Sequence, residues 1–79
     1  MYPNPADNFI WTQVLINKNS HGSLTFFDAA GKQVMQQSKN FIKGVNTATA
    51  DISSLASSIY TLRITRLNES DMVIKFIKY

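Results

Sequence analysis

Ile59-Tyr60-Thr61-Leu62-Arg63-Ile64-Thr65-Arg66-Leu67 is the stretch that decides the fold. Tyr60, Leu62 and Ile64 alternate with Ile59, Thr61 and Arg63, a period of two that puts one set on each face of a strand. Working outward, residues 72–79 repeat the pattern, with Met72, Ile74 and Phe76 set against Val73, Lys75 and Ile77. Residues 47–52 set Thr47, Thr49 and Asp51 against Ala48, Ala50 and Ile52. Residues 23–28 (Ser-Leu-Thr-Phe-Phe-Asp) and 33–38 read as extended, and Phe9 to Ile16 is apolar and β-rich with no helix cap before it. These are six strands, with a seventh expected either around Phe41 or in the leading Tyr2-Pro3 segment. Short strands recurring every ~8–12 residues between polar turns predict a sandwich. The fold class is all-β: a small immunoglobulin-like antiparallel β-sandwich of six to seven strands. Residues 9–79 form its single domain, and residues 1–8 a Pro-rich segment at the exit of a linker.

The turns between these strands have their own chemistry. Asp28-Ala29-Ala30-Gly31 suits a hairpin in which a type I turn hands over to a left-handed glycine. The Asp28 carboxylate is placed to accept backbone N–H bonds there. Residues 17–22 (Asn-Lys-Asn-Ser-His-Gly) read as a longer polar loop, Lys43-Gly44 as a chain break, and residues 68–71 (Asn-Glu-Ser-Asp) as the tip of the last hairpin. Residues 53–58 offer one helical turn with Ser53 as its cap, too short to be stable alone.

Size and composition narrow the function. The chain of 79 residues has no cysteine, so neither a disulfide nor a thiolate nucleophile is available. Its net charge of +3 comes from dispersed lysines and arginines, with no run of like charge that would indicate a nucleic-acid tail. No apolar run approaches the ~20 residues of a membrane span. Met1 is followed at once by Tyr2-Pro3-Asn4-Pro5 rather than by a signal segment, so the chain reads as a piece of a longer protein.

Catalytic and metal chemistry find little support. His21 is the single histidine and is expected as a solvated turn residue. Asp7, Asp28, Asp51, Glu69 and Asp71 do not match the spacing of a calcium loop. Gly31-Lys32 lacks the rest of a phosphate loop, since Phe26 and Gln33 stand where a Gly and a Ser or Thr are required. Asn68-Glu69-Ser70 matches a glycosylation sequon, but a hairpin tip favours the same residues. Tyr2, Trp11, Tyr60 and Tyr79 would make a sugar platform if several faced outward; in a small sandwich they are expected in the core. No catalytic residue, cofactor or metal is expected.

Two features are less ordinary. Tyr2-Pro3-Asn4-Pro5-Ala6 is stiffened by its prolines. Lys75-Phe76-Ile77-Lys78-Tyr79 closes the sequence on a strand whose lysines would guard an edge. Together with the elements between them, they resemble the C-terminal sorting domain family of the type IX secretion system. The resemblance rests on Tyr2 to Ala6; on Leu24 to Val34 around Asp28, Gly31 and Lys32; on Gly44-Val45-Asn46; on Asp51-Ile52-Ser53-Ser54-Leu55; on Ile59-Tyr60; and on the closing strand with Lys75 and Lys78.

The resemblance implies a sorting signal rather than an enzyme, with Tyr2, Pro3, Asn4, Pro5, Asp28, Gly31, Lys32, Asp51, Leu55, Tyr60, Lys75 and Lys78 as its motif residues. It implies an upstream cargo that crosses the periplasm and reaches the cell surface or medium. It also implies recognition by an outer-membrane translocon and removal by a sortase-like cysteine peptidase. Ser58 departs from the family pattern, which has Gly before Ile59-Tyr60; a positive φ, or a shifted loop, is expected there. Tyr60 is expected to point inward with its hydroxyl bonded. The residues by themselves leave a second reading open, an immunoglobulin- or fibronectin-like accessory module that binds carbohydrate or protein for a secreted enzyme.

Overall fold

The computed structural model describes residues 8–66 and 70–79. Six strands run β1 (Phe9–Ile16), β2 (Ser20–Phe27), β3 (Gln33–Phe41), β4 (Gly44–Asp51), β5 (Ser58–Arg66) and β6 (Met72–Lys78). They form two antiparallel sheets, β1-β4 and β3-β2-β5-β6. The fold is therefore all-β and two-layered, as the alternation predicts. Of the two places considered for a seventh strand, Phe41 is the last residue of β3, and Tyr2-Pro3 lies outside the described residues.

Every second residue of β1 is buried: Ile10, Thr12, Val14 and Ile16. Their register partners Ala50, Ala48 and Asn46 on β4 are buried too. Leu24 and Phe26 of β2, Tyr60, Leu62 and Ile64 of β5, Phe41 and Phe76 complete the core from the larger sheet. Tyr60 and Phe76 are register partners whose rings stack at 5.7 Å, and Phe26 meets Phe76 edge-on at 6.1 Å. Such ring pairs add roughly 0.5–1.5 kcal/mol each beyond the area they bury. Gln37 links the sheets by donating its Nε2–H to the Thr49 carbonyl, 3.1 Å away.

Several expectations need correction. The polar loop predicted over residues 17–22 is shorter, because β2 begins at Ser20 and takes in His21 and Gly22. His21 is thus a strand residue, bonded through Nδ1 to the Asn40 side chain at 2.8 Å. Pairing with β3 along its whole length extends this strand, an effect that local composition does not carry. The predicted helical turn is a β-turn closed by Leu55 N–H donating to the Ile52 carbonyl (3.0 Å). Its side-chain acceptor is Asp51, not Ser53. Ser58 opens β5 in register with Lys78, so of the two alternatives, a positive φ or a shifted loop, strand pairing speaks against the positive φ. Trp11 and Tyr79 are exposed rather than core, Trp11 because its position on β1 alternates outward.

Candidate functional site

The motif residues are far apart in sequence, and the registers bring those that are described to one end of the sandwich. Phe27, the last residue of β2, pairs with Thr61 near the start of β5, and Thr61 pairs with Lys75 near the end of β6. The hairpin with Asp28, Gly31 and Lys32 therefore stands beside the end of β6. The β4–β5 connection with Asp51 and Leu55 leads into the same end, where the Ile52 N–H donates to the Asn8 carbonyl at 2.8 Å. Tyr2, Pro3, Asn4 and Pro5 lie outside the described residues, as does Asn68 of the sequon.

Asp28 organises the hairpin. Its Oδ1 accepts from Ala30 N–H (3.0 Å) and Lys32 N–H (2.9 Å). Its carbonyl accepts from Gly31 N–H at 3.0 Å, and its own N–H donates to the Lys32 carbonyl at 2.9 Å. Gly31 has φ +84°, the left-handed value that closes such a turn, and the register slips between Phe26 and Phe27. Lys32 is exposed at the hairpin's far side.

The second group is built around Tyr60. The ring is buried, and the hydroxyl donates to the Ala56 carbonyl, which ties the β4–β5 connection onto β5. Half-buried Leu55 packs against the core from the same connection. Asp51 accepts from Ser53 N–H at 2.9 Å, and the Ser53 side-chain and backbone hydrogen bonds hold its carboxyl below the ordinary value of 3.8. Lys75 and Lys78 do not form one patch. Lys75 faces solvent, whereas Lys78 is buried on the core face with its Nζ donating to the Tyr79 carbonyl at 3.3 Å.

Sequence reasoning missed Phe27, Thr61 and Arg63. These line an open cleft of about 350 Å³ together with Asp28, Ala29 and Gly31. The Arg63 guanidinium sits 5.5 Å from the Phe27 ring centroid, and its Nε lies 3.9 Å from Asp71 Oδ2. Alternation placed Thr61 and Arg63 on one face, but only the β2–β5 register puts Phe27 beside them. Of the four aromatics considered as a sugar platform, Tyr60 is core, Trp11 is on β1 of the small sheet, and Tyr79 follows β6 of the large one. Those described do not share a face.

The architecture is a two-sheet antiparallel sandwich with an open cleft beside the Asp28 hairpin, and such a fold hosts many functions. The family model described as "Secretion system C-terminal sorting domain" matches residues 1–79. The chain belongs to this family: it is a C-terminal sorting signal of type IX secretion. No relative among curated proteins matches it. The family is not catalytic. Membership implies interaction with the type IX machinery and a cargo, and export toward the cell surface or the extracellular space. No helix among the described residues is long and apolar enough to cross a membrane.

Proposed function

We propose that the secretion machinery reads this domain as a folded sandwich, at the end where the hairpin, the β4–β5 connection and the close of β6 meet. The observation that carries this reading is the convergence of Asp28, Gly31, Lys32, Asp51, Leu55, Tyr60, Lys75 and Lys78 on that end through three antiparallel registers. Asp28, Gly31, Asp51, Leu55 and Tyr60 hold the backbone of this end in shape; Lys32 and Lys75 are its exposed cations. Tyr2, Pro3, Asn4 and Pro5 belong to the leading segment, residues 1–8, through which the domain joins its cargo. The cargo passes through the periplasm, and a sortase-like cysteine peptidase then removes the domain at the surface. The domain acts by being recognised rather than by catalysis, in keeping with a family that is not catalytic.

The test is a reporter carrying a signal peptide and residues 2–79, expressed in cells with a working type IX system. Deleting residues 75–79 would not separate signal from fold, because Phe76 is a fully buried core ring. Phe76→Ala is the cleaner variant: truncating a core aromatic destabilises by ~3–5 kcal/mol, comparable with the whole stability of a small domain. The export of the variant should fall in step with its folded fraction. Export at the wild-type level from a mostly unfolded variant would show that the machinery does not read the sandwich.

A further inference from the structure

The cleft beside the hairpin has a chemistry that turn-building does not explain. Phe27, Thr61 and Lys75 form one outward row across β2, β5 and β6, and Thr25, Arg63 and Val73 form the next. Arg63 and Lys75 are therefore diagonal neighbours on adjacent strands, their Cα atoms about 7–8 Å apart. That is close to the ~6.6 Å between successive same-face side chains of an extended chain. Thr61 is the register partner of Lys75 and shares the face of Arg63 on β5, and the half-buried Phe27 ring forms the apolar wall.

Charge on this face is one-sided. The outward positions of β2, β5 and β6 carry Arg63 and Lys75 and no carboxylate. Among the described residues two carboxylates border the cleft, and neither fills it. Asp28 Oδ1 already accepts two backbone N–H bonds. Asp71 meets Arg63 at a long 3.9 Å, and both side chains are about half exposed, so water and salt screen the pair. A partner carboxylate can displace it at little expense.

We propose that this cleft docks an acidic, extended segment of a protein of the secretion machinery. Arg63 and Lys75 take carboxylates two residues apart on that segment, and the Phe27 ring takes an apolar side chain beside them. The proposal rests on the sorting reading for the partner's identity, while the site itself rests on the cleft, the two cations and the ring. A peptide fits better than a polyphosphate because two isolated cations flank an apolar wall, whereas nucleic-acid and phosphate grooves concentrate basic residues along a backbone.

The test uses the intact chain and a fluorescein-labelled ten-residue peptide in which glutamate alternates with valine and threonine. Binding is read by fluorescence anisotropy at low and physiological salt. Arg63→Gln with Lys75→Gln should raise Kd about tenfold or more, equivalent to ~1.4 kcal/mol. Lys18→Gln with Lys43→Gln removes the same net charge from the opposite end and should change Kd less than about twofold, since charges beyond a Debye length are screened. Phe27→Ser should weaken binding and flatten the dependence on the peptide's valines. Equal weakening by the two double variants would reduce the effect to bulk charge and overturn the site. So would the absence of saturable binding, or full displacement by inorganic phosphate at matched charge. None of these outcomes touches the sorting role, which stands or falls with export of the wild-type fusion. Both double variants should melt with the parent, since the substituted cations are at the surface.

Discussion

Replacing Gly22 with alanine puts a methyl group where β2 meets β5 with no room for it. Gly22 is buried, and a Cβ built on its backbone would lie 2.0 Å from the Thr65 carbonyl oxygen and 2.9 Å from Cε2 of Phe41. An ordinary carbon–oxygen contact is ~3.3–3.6 Å, so the overlap exceeds an ångström, and the nearer atom belongs to a strand backbone. The strain is steric rather than conformational, because the φ of Gly22 lies outside the left-handed region. Relief requires β2 and β5 to separate around the Gly22–Arg66 pair and the Phe41 ring to shift. One or two weakened ladder bonds at ~1 kcal/mol each, with an overpacking strain of ~1–3 kcal/mol, give a loss of about 3 kcal/mol. For a chain of this size each kcal/mol moves Tm by ~4–8 °C, so Gly22→Ala should lower Tm by at least ~12 °C in a circular-dichroism melt. Gly31→Ala is the matched comparison. Nothing lies within 4 Å of its Cβ position, so only the φ of +84° opposes it, at ~1–2 kcal/mol. A Gly22→Ala protein that melts within ~2 °C of the parent, or above Gly31→Ala, would refute the close-approach argument.

Other outcomes follow from the same geometry. Asn46→Ala should lower stability by ~2–3 kcal/mol in urea titration, because the buried Asn46 side chain accepts from Ile42 N–H (3.0 Å) and donates to the carbonyls of Ile42 (2.7 Å) and Gly44 (3.1 Å). Asp51 has its folded pKa below its unfolded value, so its contribution is present above about 3.8 and is lost as pH falls through the lower folded pKa. Asp51→Asn should therefore flatten the acid limb of stability against pH, and an unchanged limb would remove Asp51 from that role. Ser58→Gly should destabilise by ~0.5–1 kcal/mol, since glycine is poor inside a strand; a gain in Tm would restore the left-handed reading of this position.

Much of the fold was legible because side-chain alternation is a local property. Tyr60, Leu62 and Ile64 announce an inward face whatever they pack against, and Asp28 and Gly31 define their hairpin within five residues. Strand extent was less legible. Gly22 looks like a loop residue, yet it is a strand residue chosen for a close approach to a neighbour more than forty positions away. Ser58 looks like a turn residue, yet pairing with Lys78 makes it a strand residue.

The sequence by itself determined the strand faces, the turn chemistry and, through the order of its motifs, the family. Tertiary structure alone decided which outward residues share a surface. Register is a long-range quantity, and a shift of one residue would turn each side chain to the other face. The pairing of Phe27 with Thr61, and of Thr61 with Lys75, gathers the scattered motifs at one end and builds the Arg63 cleft. The same pleat sends Lys75 to solvent and Lys78 into the core, although the two lysines are three positions apart in one strand.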